Sequence, residues 1–145
     1  MPKALEFFYD FTSPTAYLAW ARLPGVLERT GAQLFYRPIF LGGVMQTTGN
    51  RPPGTVEAKG RWMQADLKRW AARIGVEFRH NPHFPMMTLM VQRAACGWLD
   101  RPDFERYVAA IFTAAWRDQR NIADKEDLSR IVAEAGFDPA ELFAA

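Results

Sequence analysis

The stretch DFTSPTAY, residues 10–17, joins an apolar strand to a helix, and the rest of the chain follows from it. The aromatic-rich residues before it predict a strand over residues 4–11. Ser13 followed at once by Pro14 is typical of a helix N-cap and first turn, and predicts a helix from Pro14 to about Glu28. A side chain at that junction lies beside unpaired backbone N–H groups and the positive end of the helix dipole. Ser13 is therefore either an ordinary N-cap or part of an anion site.

The bulk composition predicts one globular domain and excludes several classes of protein. The chain has 145 residues, of which 49% are hydrophobic, and its 18 basic and 16 acidic residues leave a formal net charge of +2 without a long run of one sign. Neither a nucleic acid nor an anionic membrane surface is indicated as a partner. A single cysteine excludes an intramolecular disulfide, and the start of the chain shows no signal-peptide pattern, so we predict a cytoplasmic location.

The order of predicted elements is strand, helix, strand, and then helices to the end. The second strand covers residues 33–40 and should pair in parallel with the first through a right-handed crossover, with the intervening helix interrupted near Pro24. Helices are predicted over residues 42–48, 55–74, 86–99, 102–117 and 124–135, with another starting at Pro139. The long helix from Thr55 should turn one apolar stripe inward, made of Val56, Trp62, Met63, Leu67 and Trp70.

The opening Asp-Phe-x-Ser-Pro-x-x-Tyr-Leu-Ala resembles that of the DsbA-like thioredoxin-fold proteins that use glutathione, namely the kappa-class glutathione transferases and the 2-hydroxychromene-2-carboxylate isomerases. The resemblance implies an α/β fold, a thioredoxin-like β-α-β unit with a DsbA-like helical insertion. Residues 1–41 would form the N-terminal part of the thioredoxin-like domain and residues 42–145 the helical insertion. Redox members carry Cys-Pro-x-Cys where this chain has Ser13 and Ala16, so we predict no dithiol–disulfide exchange at this tetrad.

The family's later elements have no counterpart in this sequence. They are two antiparallel strands, a Val-Pro turn with a cis proline, and a final helix. A two-stranded sheet is poorly stable by itself because one face and one edge stay open. We therefore expect either that the sequence is a piece of a longer protein or that a partner supplies the missing strands, and we expect a homodimer.

A second match is the segment Gly-Asn-x-Pro-Pro at residues 49–53, followed by Lys-Gly at 59–60. It resembles elements of kappa-type enzymes that lie over the glutathione site. The resemblance implies that Asn50 hydrogen-bonds the cofactor or substrate, that Lys59 pairs with a carboxylate, and that Pro52 offers its backbone carbonyl. Without the resemblance, the segment is an ordinary turn followed by a solvated lysine.

The segment Asn81-Pro82-His83-Phe84-Pro85 resembles a loop more typical of the isomerases. It implies that His83 contacts a substrate carboxylate, with Arg51 and Tyr17 as further substrate-binding residues, although a histidine between prolines is also a common structural hydrogen-bonding group. The two histidines have no ligand neighbours at metal-binding spacing, so we predict no metal site. Cys96 lies on a small-residue helix face and is expected to be buried and inert.

Together these matches imply a glutathione-dependent isomerase of the 2-hydroxychromene-2-carboxylate type, or one acting on a similar aromatic-derived carboxylate. Ser13 would be the catalytic residue and would bind the glutathione sulfur, favouring the thiolate over the thiol. The thiolate would add to the conjugated substrate, allow rotation about the former double bond, and leave again. A kappa-type transferase that consumes glutathione, and a non-catalytic thioredoxin-fold binding protein, remain the alternatives.

Overall fold

The computed structural model describes residues 3–144. The elements in chain order are β1 (Ala4–Tyr9), α1 (Pro14–Thr30), β2 (Gln33–Pro38), α2 (Leu41–Thr48), a 3₁₀ turn (Pro53–Thr55), α3 (Glu57–Ile74), α4 (Leu89–Gly97), α5 (Phe104–Trp116), α6 (Lys125–Glu134) and α7 (Pro139–Ala144). Within the described residues, no helix combines the length and apolar character that a bilayer span requires.

The predicted β-α-β unit is present. Strands β1 and β2 pair in parallel, in a register that runs from Ala4 opposite Gln33 to Tyr9 opposite Pro38. Both strands end two residues earlier than predicted. After β1, the backbone N–H of Ser13 donates to the Asp10 carbonyl (3.0 Å), which turns the chain toward α1. In β2, Pro38 has no N–H with which to continue the ladder.

Helix α1 begins and ends at the predicted kinds of residue. The Ser13 Oγ accepts a hydrogen bond from the Ala16 N–H, and Gly31 ends the helix at φ 63°, a left-handed conformation that glycine adopts without a steric penalty. The predicted interruption at Pro24 is wrong, because the helix continues to Thr30. Proline removes one backbone hydrogen bond, and the buried side chains of Leu18 and Leu23 hold the helix against the core on the N-terminal side of Pro24.

One hydrophobic core joins the sheet to the helices. The inner face of β1 presents Phe7 and Tyr9, whose rings stack at 5.1 Å, and Tyr9 also contacts Phe112 of α5 at 5.6 Å. Helix α5 is the central element, since Val108, Ile111 and Phe112 are completely buried. The core crosses the boundary predicted at residues 41–42, and the division of the chain into two domains stays a prediction.

The other face of the sheet is open in the described residues. Phe8 is 59% exposed and Phe35 is 36% exposed, and they lie on adjacent strands. Residues 3–144 supply two strands, in agreement with the expectation that the later strands of the thioredoxin motif have no counterpart here.

The predicted inward stripe of α3 is partly wrong. Leu67 and the neighbouring Ala71 are buried, whereas Val56, Trp62 and Trp70 are exposed. Successive helix residues are rotated by about 100°, which places Trp62 about 140° from Leu67 and therefore away from the covered face. Helix α1 packs against α3 and covers only the Leu67 side.

Helix α4 begins at Leu89, three residues later than predicted, because the Met86 N–H and the Thr88 hydroxyl are bonded to Thr12 and Asp10 in the turn after β1. Cys96 is exposed, which corrects the expectation of a buried thiol. The core side of α4 is formed by Val91, Ala94 and Ala95, and Cys96 follows them in the last turn.

Candidate active site

A cavity of about 440 Å³ lies at the carboxyl end of β1, beside the start of α1. Four separate segments form its walls. They are residues 10–15, residues 40–45 at the start of α2, the turn at residues 52–54 with Met63 of α3, and the loop at residues 84–88. The carboxyl ends of strands in open α/β sheets are the usual place for a ligand site.

Asp10 connects three of these segments. Its carboxylate is 98% buried and accepts hydrogen bonds from the Thr12 N–H (3.0 Å), the Leu41 N–H (2.8 Å) and the Thr88 hydroxyl (2.6 Å). These donors belong to the turn before α1, the start of α2 and the loop before α4. Asp10 therefore fixes how the walls of the cavity stand relative to one another. Sequence reasoning placed Asp10 in the deciding motif without giving it a role.

The Ser13 hydroxyl opens onto this cavity and is part of a hydroxyl pair. Its Oγ accepts from the Ala16 N–H (3.2 Å) and lies 2.8 Å from the Thr15 Oγ1, with either oxygen able to donate. When Thr15 donates, both lone pairs of Ser13 Oγ are engaged and its own proton is free for an acceptor in the cavity. The pair thus can offer a hydrogen-bond donor at the positive end of a 17-residue helix.

The rest of the cavity wall is apolar. Four methionines contribute to it, together with two aromatic rings: Met45, Met63, Met86, Met87, Phe40 and Phe84. Within residues 3–144, no lysine, arginine or histidine lines the cavity, and its one charged group, the Asp10 carboxylate, is already bonded. Methionine side chains are flexible and polarisable, so such a wall suits an uncharged, planar ligand group of variable shape.

Of the residues predicted for the glutathione site, the structure brings Ser13 and Pro52 to the cavity. The Pro52 carbonyl accepts from both the N–H (3.0 Å) and the hydroxyl (2.8 Å) of Thr55, so it is engaged within its own turn. Asn50 is exposed, and its side-chain oxygen accepts from the Arg51 N–H (2.9 Å). Lys59 is exposed on the first turn of α3 and does not line the cavity.

The residues predicted for substrate binding are not brought together. Tyr17 is buried, donates to the Glu77 carbonyl (2.7 Å) and lines a different cavity, of about 770 Å³, between α1 and α5. Burial raises the pKa of the Tyr17 phenol, so it remains a protonated structural donor. The expectation of a substrate contact is therefore corrected for Tyr17, because four residues after Ser13 the helix presents its side chain to the core. Arg51 and His83 are exposed and lie outside the wall of the Ser13 cavity.

The functional residue of the 81–85 loop that sequence reasoning missed is Asn81. It is completely buried, and its amide nitrogen donates to the carbonyls of Ala115 (2.7 Å) and Arg120 (2.8 Å). Its side-chain oxygen accepts from the His83 N–H (2.8 Å). Asn81 thereby holds the loop that carries Phe84 to the cavity. Asparagine directly before proline was the available signal, since this pair is typical of a fixed turn.

Neither a thiol nor a metal-binding cluster lies at this site. Cys96 is on α4 and does not line the cavity. In the part of the chain that the structure describes, no group of three or more histidine, cysteine or acidic side chains is arranged to hold a metal ion. The chemistry that these residues offer is hydrogen bonding to an anion beside an apolar chamber.

Comparison with known proteins identifies the family. A family model described as "DSBA-like thioredoxin domain" matches residues 4–145, and the chain therefore belongs to this family. It is 31% identical over 140 residues to a 2-hydroxychromene-2-carboxylate isomerase of Sphingobium xenophagum, a match that covers 95% of this chain and 71% of the relative. It is 24% identical over 148 residues to glutathione S-transferase kappa 1 of Homo sapiens, covering 94% of this chain and 64% of that relative.

Solved structures confirm the fold. A structure of 2-hydroxychromene-2-carboxylate isomerase superposes with a TM-score of 0.83 at 21% identity, covering 98% of this chain and 71% of that one. A probable DsbA oxidoreductase of Streptomyces coelicolor gives a TM-score of 0.66 at 21% identity, covering 97% and 66%. The predicted DsbA-like thioredoxin fold with a helical insertion is therefore confirmed. The chain spans about two thirds of the length of these relatives.

Proposed function

We propose that this protein is a glutathione-dependent isomerase acting on 2-hydroxychromene-2-carboxylate or a similar aromatic-derived carboxylate. The observation that carries the proposal is the Ser13 hydroxyl, which opens at a helix N-terminus onto an apolar cavity that has no thiol in the described part of its wall. A reaction that needs a thiol there must take it from a bound molecule. The names of the relatives, isomerases and glutathione transferases, support glutathione as that molecule.

The residues around Ser13 fit the thiol end of glutathione, which when bound supplies the sulfur nucleophile for the isomerisation. Ser13 can donate its hydroxyl proton into the cavity while Thr15 and the Ala16 N–H occupy its lone pairs. A hydrogen bond to the charged form and a nearby positive helix end both favour the thiolate. The apolar walls exclude water and would hold the flat part of the substrate.

The remaining contacts to glutathione and to the substrate are assigned to residues in or beside the segments that form the cavity wall. We propose that Asn50 and Lys59 bind the peptide part of glutathione and that Pro52 contributes the wall of the turn between them. Arg51, next to Pro52, and His83, next to Phe84, adjoin residues of the cavity wall and are proposed to contact the substrate. Arg51 has no ion-pair partner among the described residues, which leaves its charge available.

A kappa-type transferase is the second candidate, and the apolar wall of the cavity favours it. A chamber without a cationic lining side chain in residues 3–144 accepts a neutral electrophile more readily than an anionic one. Product analysis separates the two functions. Incubation with glutathione and an aromatic substrate returns all of the glutathione if the protein is an isomerase, and accumulates a conjugate if it is a transferase.

The serine is tested by titrating the ultraviolet absorbance of bound glutathione's thiolate against pH. In Ser13→Ala, we expect the pKa of the bound thiol to rise by roughly one to two units, because a hydrogen bond to a charged group is worth about 1.5–3 kcal/mol. The fold should persist, since losing an N-cap costs about 1 kcal/mol. The matched control is Ser129→Ala on α6, remote from the cavity. An unchanged titration in Ser13→Ala would remove Ser13 from the mechanism.

We also propose that the protein acts in the cytoplasm and as a homodimer. One cysteine in the whole sequence supports a location in which disulfides are not needed. The open outer face of the sheet, with Phe8 and Phe35 exposed, supports self-association. Sedimentation equilibrium of the chain should give the mass of a dimer, and a monomer at all accessible concentrations would contradict this assignment.

A further inference from the structure

A third cavity, of about 310 Å³, adjoins the cavity around Ser13. We call it the tryptophan groove, and it lies between α1 and α3 with a wall that includes Thr15, Leu18, Arg22, Trp62, Met63 and Trp70. Thr15 and Met63 belong to the walls of both cavities. The two cavities are therefore neighbours, and a ligand that occupied both would lie against these two side chains.

The aromatic wall of the groove is open to solvent. Trp62 is 62% exposed and Trp70 is 39% exposed, and they lie eight residues apart on the same side of α3. Tryptophan side chains are large and apolar, and two of them left open along one helix form a platform for a planar ring.

The charges at the groove favour an anion. The Arg22 guanidinium lies 5.4 Å from the centre of the Trp70 ring, and that of Arg73 lies 5.5 Å from the same ring. Neither arginine forms an ion pair with another described residue. The one carboxylate in the groove wall, Asp66, is bonded to Arg69 at 3.1 Å. The groove thus combines flat aromatic faces with an arginine fork that is free to bind a carboxylate.

We propose that the tryptophan groove binds the carboxylate-bearing end of a planar aromatic substrate, with the ring against the tryptophans and the carboxylate on Arg22. The proposal rests on the proposed function, because it assigns the substrate of that same site. The Ser13 cavity has no cation in its described wall, so an anionic substrate must find its counter-charge elsewhere. The groove provides that counter-charge beside the Ser13 cavity, which makes Arg22 a specificity-determining residue distinct from Arg51 and His83.

Binding is measured directly with 3-hydroxy-2-naphthoate, a fluorescent aromatic carboxylate, in the absence of glutathione. We expect Arg22→Met to weaken its binding roughly tenfold or more, since the side chain keeps its length and loses the charge-assisted bond. Arg29→Met, which changes an exposed arginine of the same helix outside the groove, should bind as the wild type does. The neutral analogue 2-naphthol should bind the wild type and Arg22→Met equally.

A second variant tests the aromatic wall and controls for a change in fold. Trp70→Leu should weaken both naphthoate and naphthol, with an unchanged circular dichroism spectrum. Equal naphthoate affinity in the wild type and Arg22→Met, or no naphthoate binding by the wild type, would overturn the proposal. The proposal would also fail if Arg51→Met lost naphthoate binding while Arg22→Met kept it. It would fail as well if a glutamate-rich peptide displaced naphthoate and bound more tightly.

The proposed function is tested separately from the groove. The thiolate absorbance titration of bound glutathione in the wild type requires no carboxylate site. If the wild type does not lower the pKa of the bound thiol, the proposed function fails, and the naphthoate titration still decides whether the groove is a site for aromatic carboxylates.

Discussion

At the scale of single residues, the candidate site contains two neighbouring hydroxyl groups, those of Ser13 and Thr15, either of which can donate to the other. The side-chain oxygen of a serine at a helix start ordinarily accepts a hydrogen bond from a backbone N–H. Here Ser13 Oγ has a second neighbour, the Thr15 hydroxyl at 2.8 Å, which is able to donate to it and so leave the serine proton for the cavity. Thr15 is therefore a positioning residue for Ser13.

Thr15→Val tests that role because valine keeps the shape of threonine and removes the hydroxyl. We expect the pKa of bound glutathione's thiol to rise, by less than in Ser13→Ala, since Ser13 keeps its proton and loses the group that orients it. The thiolate absorbance titration measures it, with Thr47→Val, an exposed threonine of α2, as the control. A Thr15→Val curve that superposes on the wild type would show that Ser13 is oriented without Thr15.

Asp10 is the second residue that shapes the site, because its carboxylate accepts hydrogen bonds from segments distant in sequence. In Asp10→Asn one carboxylate oxygen is replaced by an amide nitrogen, which donates hydrogen bonds and cannot accept them. This nitrogen would face another donor, either the Leu41 N–H or the Thr88 hydroxyl, so a native hydrogen bond is lost. We expect a loss of about 1–3 kcal/mol in the free energy of unfolding by urea. Asp100→Asn, at an exposed aspartate, should leave stability within about 0.5 kcal/mol of the wild type. Equal stability of the two variants would contradict the assigned role.

At the scale of elements, the loop between α3 and α4 shows how a segment without regular structure is held in place. Its residues 84–88 form one wall of the cavity, and its anchor is the buried Asn81 amide, which bonds to carbonyls at the end of α5 and beyond it. The Thr12 hydroxyl accepts from the Met86 N–H at 3.3 Å and joins the same loop to the turn before α1. The wall is therefore tied by hydrogen bonds to the end of α5 and to the turn before α1.

Asn81→Ala should lower the free energy of unfolding by about 2–3 kcal/mol, because two carbonyls in a buried environment lose their donor. His83→Ala, two residues away and exposed, should change it by less than about 0.5 kcal/mol. Urea unfolding of both variants decides the matter. A larger effect from His83 than from Asn81 would mean that the histidine, and not the asparagine, holds the loop.

At the scale of the whole molecule, an arginine joins the start of α5 to the last helix. Arg101 donates to the carboxylates of Asp103 (2.9 Å) and Glu141 (2.7 Å), and its guanidinium lies over the Trp98 ring at 4.8 Å. Its hydrogen bond lowers the pKa of the Asp103 carboxyl below its ordinary value of 3.8. Helix α7 is thereby connected to the core by charge as well as by Leu142.

This connection makes stability depend on pH in a defined direction. A carboxyl whose pKa is lower in the folded state stabilises the protein above its unfolded pKa of about 3.8, and the contribution disappears as the pH falls through the folded value. Asp103→Asn should therefore be less stable than the wild type at about pH 6, with a smaller difference at about pH 3. Urea unfolding at both values measures the difference. A gap that is the same at both would show that the ionised carboxylate contributes nothing.

Local sequence signals determined the β-α-β unit, the N-cap at Ser13 and the glycine that ends α1. Each depends on forces that act within a few residues: backbone conformation, capping and the period of the apolar pattern. The resemblance of the opening motif, and not these local signals, predicted the family, which the matched residues 4–145 confirm. The catalytic role of Ser13 stays a prediction of that resemblance.

Only the tertiary structure decided which side chains meet. Asp10 bonds to Thr88, 78 residues away, and the Trp116 indole donates to the Phe11 carbonyl across 105 residues. Periodicity assigned Trp62 and Trp70 to the core, yet whether an apolar face is covered depends on where α1 packs. Tyr17 shows the opposite case: it was expected at the site, but its face of α1 packs against the core and not against the cavity. Contacts between distant segments are set by the packing of whole elements, and no local pattern contains that information.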